Sequence, residues 1–226
     1  MMEGKKKRTG NLTPLHALYT DGEEVFNAVS HGIGALLSIA GLVILVVCSV
    51  IPFNPLKFAS SIVFGVSLIL LFSASMLYHA VSQPLAKAVL RVLDHTSIFL
   101  LIAGTYTPVT LVTLGGVTGV TLFAVVWIAA VVGVILNAIS IERFKIFSMI
   151  CYVAMGWVVI FALSPLMQAL APAGVALLVA GGLCYTLGLL FYRLKRIPYM
   201  HGIWHLFVLA GAVLHYLCIL FYVIIP

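Results

Sequence analysis

The chain has 226 residues, 63% hydrophobic and only 8% charged, with a formal net charge of +6. A soluble domain carries about 25% charged residues, so this composition excludes a water-solvated surface and requires lipid to cover much of it. The basic excess sits in short clusters between apolar runs, which argues against a nucleic-acid binder.

A bilayer core needs about 20 apolar residues per helical span, so seven spans with short connections consume nearly the whole chain. The fold class expected is therefore all-α, a polytopic seven-helix transmembrane bundle with no room for a second domain. The N-terminus, MMEGKKKRTG, is basic, and the apolar run that begins near Val25 is too long for a cleavable signal core. Residues 1–23 read as a cytoplasmic tail and 24–226 as a single transmembrane domain. Helix 1 is expected over 24–50, before the turn-rich Ile51-Pro52-Phe53-Asn54-Pro55. Helix 2 follows over 57–81 and closes at Ser82-Gln83-Pro84. Helices 3, 4 and 5 are expected over 91–112, 117–139 and 144–163. Pro165 and Pro172 bracket the next loop, helix 6 covers 173–192, and helix 7 runs from Pro198 to the C-terminus. Cys48, Cys151, Cys184 and Cys218 lie in apolar stretches without a CxxC pair and read as small packing residues.

The charges orient the bundle. Lys5, Lys6, Lys7 and Arg8 precede helix 1; Lys87 and Arg91 lie between helices 2 and 3. Arg143 and Lys145 separate helices 4 and 5, and Arg193, Lys195 and Arg196 separate helices 6 and 7. Of the 12 basic residues only Lys57 falls on the other side, so the positive-inside rule places the N-terminus in the cytoplasm and the C-terminus outside. The location expected is a bacterial inner membrane.

This topology brings distant ionisable residues to one face. His79 ends helix 2, Asp94 begins helix 3, and His201 and His205 begin helix 7. The i,i+4 pair of histidines lies on one side of its helix, which suits two ligands of one metal. Zinc favours imidazole, and a catalytic site pairs three protein ligands with one water. His79, His201 and His205 would be those ligands, with Asp94 as general base towards that water. Ser75, one turn from His79, could orient a ligand, polarise a carbonyl or position water. Rival readings stand beside each assignment. HxxxH alone is weak; His79 could be an interfacial residue, Asp94 could pair with Arg91, and Ser75 could serve helix packing. Co-location favours function, since ionisable residues within spans are expensive.

Glu24, Asn27 and His31 share one face of helix 1 and could support the site or simply cap and pack helices. His95 points about 100° from Asp94 and is expected to pack elsewhere or bond another helix. His215 lies about 15 Å beyond His205, too far for the same metal, and His16 lies in the solvated tail.

At these residues the sequence resembles the haemolysin III family of bacterial membrane proteins. That family is grouped with the progestin and adipoQ receptors and, more distantly, the alkaline ceramidases, in a proposed superfamily of membrane hydrolases. The matching stretches are Glu23-Glu24-x-x-Asn27-x-x-x-His31-Gly32, Ser75-x-x-x-His79, Leu93-Asp94-His95, Ala103-Gly104-Thr105-Tyr106-Thr107-Pro108 and His201-Gly202-Ile203-Trp204-His205. They extend from helix 1 to helix 7. The resemblance implies zinc on His79, His201 and His205, Asp94 and Ser75 at the water, and seven helices with a cytoplasmic N-terminus. The short outer loops give a folded hormone little to grip, since a stable interface needs roughly 800 Å² per partner. The leading expectation is a zinc-dependent hydrolase of a lipid amide or ester bond near the cytoplasmic leaflet. The alternatives are a membrane-state sensor with structural zinc, or a cytolytic or pore-forming protein. Membrane lipid is the expected partner, as substrate or ligand.

Overall fold

A computed structural model describes residues 19–194 and 197–226. The tail groups Lys5, Lys6, Lys7, Arg8 and His16, and the loop cations Lys195 and Arg196, lie outside the described residues. Seven helices among the described residues are long and apolar enough to cross a membrane. They are α1 (Asp21–Val50), α2 (Pro55–Ala80), α3 (Pro84–Leu114), α4 (Gly116–Ile139), α5 (Ile141–Ala169), α6 (Pro172–Arg193) and α7 (Met200–Ile224). The protein is an all-α, multi-pass membrane bundle.

Local chemistry explains where each helix starts. Thr20 caps α1 in a capping box: Glu23 N–H donates to its side chain, and Glu23 Oε2 accepts from Thr20 N at 2.9 Å. Asn54 caps α2, and Pro55 fills a first-turn position where no N–H is needed. Gln83 and Pro84 open α3 in the same way. Ser140 alone separates α4 from α5 and accepts from Arg143 N.

Two expected boundaries are corrected. α3 begins at Pro84, about two turns before the expected start, so Lys87 and Arg91 belong to the helix and not to a loop. The positive charge at Lys87 reads as loop-forming, but it is neutralised by Glu24, 63 residues earlier. Pro165 lies inside α5, which continues to Ala169 through a tightened 3-10 stretch at Val158–Ala162. Only residues 170–171 then separate α5 from α6. Lys57, among the described residues the one cation on the far side, donates to the carbonyls of Ile224 at 2.9 Å and Pro226 at 2.8 Å. That contact puts the start of α2 beside the end of α7.

The inner core is built from α1, α2, α3 and α7. Phe64, Phe72, Leu45 and Ile219 are fully buried there. Close approach relies on small residues, as expected where lipid removes the hydrophobic drive between helices. At Gly104 a Cβ would stand 2.7 Å from Ser67 Cβ, so glycine lets α3 settle onto α2. α4 lies outside α3, while α5 and α6 present most of their surface outward. Between α3, α5, α6 and α7 the bundle leaves a cavity of about 130 Å³.

Candidate metal centre

Three histidines meet at one end of the bundle. His79 ends α2; His201 and His205 occupy successive turns at the start of α7. All three are buried, and their ligand atoms lie within 4.8 Å of one another. His201 Nε2 stands 3.3 Å from His79 Nε2 and 3.1 Å from His205 Nε2. Ligands about 2.0–2.1 Å from a tetrahedral zinc are separated by about 3.3–3.4 Å, so the spacing matches a shared ion.

The partners of the outer ring nitrogens set the tautomers. His79 Nδ1 lies 2.6 Å from Glu24 Oε2, a carboxylate oxygen that accepts. His205 Nδ1 donates to the backbone carbonyl of Asn27 at 3.3 Å, with Ser30 Oγ at 3.4 Å. Each of these rings therefore keeps a proton on Nδ1, and its neutral tautomer turns a bare Nε2 inward. His201 has at most one Nε2 proton to offer two such lone pairs. In those tautomers the three imidazoles are complementary to a cation, and without one His201 can satisfy only one of the two neighbouring lone pairs. These residues could hold a metal ion.

A supporting shell surrounds them. Lys87, only 1% exposed, donates to Glu24 Oε1 at 2.8 Å and to the carbonyls of Tyr78 at 3.1 Å and Val81 at 3.3 Å. It thus closes the last turn of α2, where His79 sits, and fixes the carboxylate that holds His79. His31 stacks on His205, ring centroids 3.6 Å apart and nearly parallel, with Phe72 edge-on to its other neighbour face. Tyr19 packs against His79 and His201 from outside α1. Burial, reinforced by Tyr78, pushes the Tyr19 phenol well above its ordinary value, so it stays neutral beside the histidines. Glu23 makes a different tie: its Oε1 accepts from Tyr199 N at 2.8 Å and anchors α1 to the turn before α7.

The carboxylate and serine expected at the site are buried as well. Asp94 borders the same cavity as His31 and His201. Arg91 does not pair with it; that guanidinium is engaged by Glu142 at the start of α5. Ser75 is fully buried one turn before His79, and its hydroxyl has no hydrogen-bond partner among the described residues. His95 accepts from the Tyr152 hydroxyl of α5 through its carbonyl at 2.9 Å. Its Nδ1 bonds the Arg91 carbonyl of its own helix at 2.9 Å and approaches Asp94 Oδ2 at 3.5 Å. His215 is remote from the cluster, bonded to Leu178 on α6.

Sequence reasoning placed Glu24, Asn27 and His31 on one face without assigning their tasks. The tasks prove distinct: a carboxylate for His79, a carbonyl for His205, and a ring stacked on His205. Lys87 and Tyr19 were missed. The signal for Lys87 was its place two turns before Asp94 in a helix opened by Gln83-Pro84; nothing in the sequence pairs it with Glu24.

Fold and site together define a polytopic membrane protein with a potential three-histidine metal centre at one end of its bundle. A family model described as "Haemolysin-III related" matches residues 19–216, and the chain belongs to that family. It is 43% identical over 202 residues to Hemolysin-3 of Bacillus cereus, covering 89% of this chain and 92% of that protein. It is 42% identical over 205 residues to a Hemolysin-3 homolog of Bacillus subtilis (strain 168), covering 91% and 96%. A human relative, monocyte to macrophage differentiation factor, is 31% identical over 166 residues, 70% of this chain and 67% of that protein.

Proposed function

We propose that the chain is a zinc-dependent hydrolase of a lipid amide or ester bond, held in the inner membrane with its site at the cytoplasmic leaflet. One observation carries this reading: a largely apolar cavity ends on a buried carboxylate, Asp94, and on His201 of the three-histidine cluster. An apolar chamber with a few convergent polar groups at one end suits a lipid whose head linkage meets those groups. The all-imidazole donor set and its spacing favour zinc. The inward placement of the site rests on the charge distribution.

His79, His201 and His205 would hold the ion, which lowers the pKa of water towards about 7 and polarises a carbonyl. Glu24 and Lys87 orient His79, and the Asn27 carbonyl orients His205. Asp94 takes the proton of the attacking water and returns it to the leaving amine or alcohol. Ser75, with a hydroxyl committed to no other group, is the donor available to a substrate carbonyl or to water. Tyr19 packs its ring against His79 and His201.

The decisive variant is Asp94→Asn. It keeps the zinc, because three histidines remain, and lowers hydrolysis by about 10²–10⁴-fold, the usual contribution of general base catalysis. Free fatty acid release is scored from ceramides, phospholipids and acyl-amino lipids incubated with purified protein. Zinc retained with no difference between wild type and Asp94→Asn on every lipid overturns the hydrolase. That result would favour a membrane-state sensor with structural zinc.

A further inference from the structure

The cavity runs along three helices for similar distances. Its lining extends from Asp94 to Thr105 on α3, from Tyr192 to Gly182 on α6, and from His201 to His215 on α7. At ~1.5 Å per residue these stretches correspond to about 15–21 Å. The walls between are mainly apolar, yet the far end is not. His215 and Tyr185 meet there with ring centroids 5.4 Å apart, edge to face.

Both carry an uncommitted polar atom. His215 Nε2 donates to the Leu178 carbonyl at 3.0 Å, which leaves Nδ1 as a bare acceptor. That Nδ1 and the Tyr185 hydroxyl are buried without a hydrogen-bond partner. Each ring is seated by a glycine on the facing helix. A Cβ at Gly181 would stand 2.3 Å from His215 Cδ2, and one at Gly211 would stand 3.0 Å from Tyr185 Cε1. An interhelical bond explains Nε2 of His215; it explains neither Nδ1 nor the phenol, and orphaned buried groups are destabilising.

We infer that His215 and Tyr185 form a second polar subsite that takes a hydroxyl group carried part-way along a lipid acyl chain. Of the groups a lipid carries along its acyl chain, away from the head linkage, a hydroxyl both donates to His215 Nδ1 and accepts from the Tyr185 O–H. A carbonyl only accepts, and a methylene does neither. The inference rests on the reading that a lipid's head linkage lies at the histidine end. The chain hydroxyl then sits about 15 Å away, the rise of α7 from His205 to His215. The site selects among lipids by what they carry in mid-chain.

The test compares oleate with ricinoleate, the same chain bearing one hydroxyl, by equilibrium binding of each radiolabelled acid to the purified full chain in nanodiscs. Ricinoleate should bind about 5- to 150-fold more tightly, the worth of two net hydrogen bonds. Tyr185→Phe removes only the uncommitted oxygen and keeps the ring in its socket. It should lower ricinoleate affinity without lowering thermal stability, and so reduce that preference. His215→Phe should reduce it likewise, with Tyr185→Phe as the safeguard should the lost Leu178 bond impair folding. Equal affinities in the wild type, failure of both acids to bind, or a preference untouched by Tyr185→Phe would overturn the subsite. A preference without any lipid turnover keeps the subsite and removes the hydrolase; turnover without a preference does the reverse.

Discussion

The buried pair of Lys87 and Glu24 allows the metal centre's support to be separated from ordinary helix packing. Glu24 uses both carboxylate oxygens, Oε1 for Lys87 and Oε2 for His79. Glu24→Gln leaves one oxygen for two donors, so an amide N–H must confront either the ammonium or the His79 ring. Breaking a buried charge pair by removing one partner costs about 3–5 kcal/mol. Lys87→Met should fall near the lower end. Its partner Glu24 keeps 13% side-chain exposure and lies in the first turn of α1, where the helix dipole favours a negative charge. Glu24→Gln strands an ammonium that is 1% exposed and should cost the larger amount. Zinc affinity should fall about 10- to 100-fold in Glu24→Gln, as for other outer partners of ligating histidines. The double variant should recover most of the lost stability, because neither charge is stranded, yet keep the weakened zinc affinity. Stability is read by unfolding in mixed micelles, and affinity by competition with a zinc chelator. Wild-type zinc affinity in the double variant would refute the positioning role. Additive stability losses with no coupling would refute the buried pair.

His201→Ala and His205→Ala should abolish stoichiometric zinc, measured by elemental analysis, while His215→Phe should leave it in place. Arg91→Ala should not mimic Asp94→Asn in the lipase assay, because Arg91 pairs with Glu142; equal losses would revive the Arg91–Asp94 pair. Reporter fusions at Lys87 should read cytoplasm and a C-terminal fusion the outside, and a cytoplasmic C-terminus would overturn the proposed orientation. Gly119→Ala should destabilise by about 1–3 kcal/mol in unfolding experiments, since its Cβ would lie 2.1 Å from the Thr110 carbonyl, a backbone atom that cannot swing aside.

The apolar runs made seven helices legible, because each is long enough to cross a bilayer and is bounded by Pro, Gly, Ser or Asn. The early start of α3 was obscured by Lys87 and Arg91. Their charges read as loop, and the groups that neutralise them, Glu24 and Glu142, are distant in sequence. Pro165 misled for another reason: a 3-10 stretch lets α5 accommodate it before the helix ends. The histidine cluster was legible from topology, since antiparallel spans must return helix ends to the same face. What topology could not supply was the division of labour around it. Whether Asn27 serves through its side chain or its carbonyl depends on the rotation of α1 against α7, and the sequence does not encode that in any local pattern.

Glu24 stands on the first span and two of the three histidines on the last, so the centre joins the two ends of a serial insertion. During synthesis the first six spans present one of the three histidines of the cluster, His79, with its carboxylate and its lysine. The cluster comes into being when α7 enters and lays His201 and His205 against α1 and α2. A chain stopped before Met200 would be a membrane protein with most of its bulk and only one of the three clustered histidines. Any metal loading would thus be a late event, and an ion held by the three histidines would act as a clasp between the oldest and youngest parts of the chain. Retention of metal should report complete assembly more faithfully than the presence of any single helix.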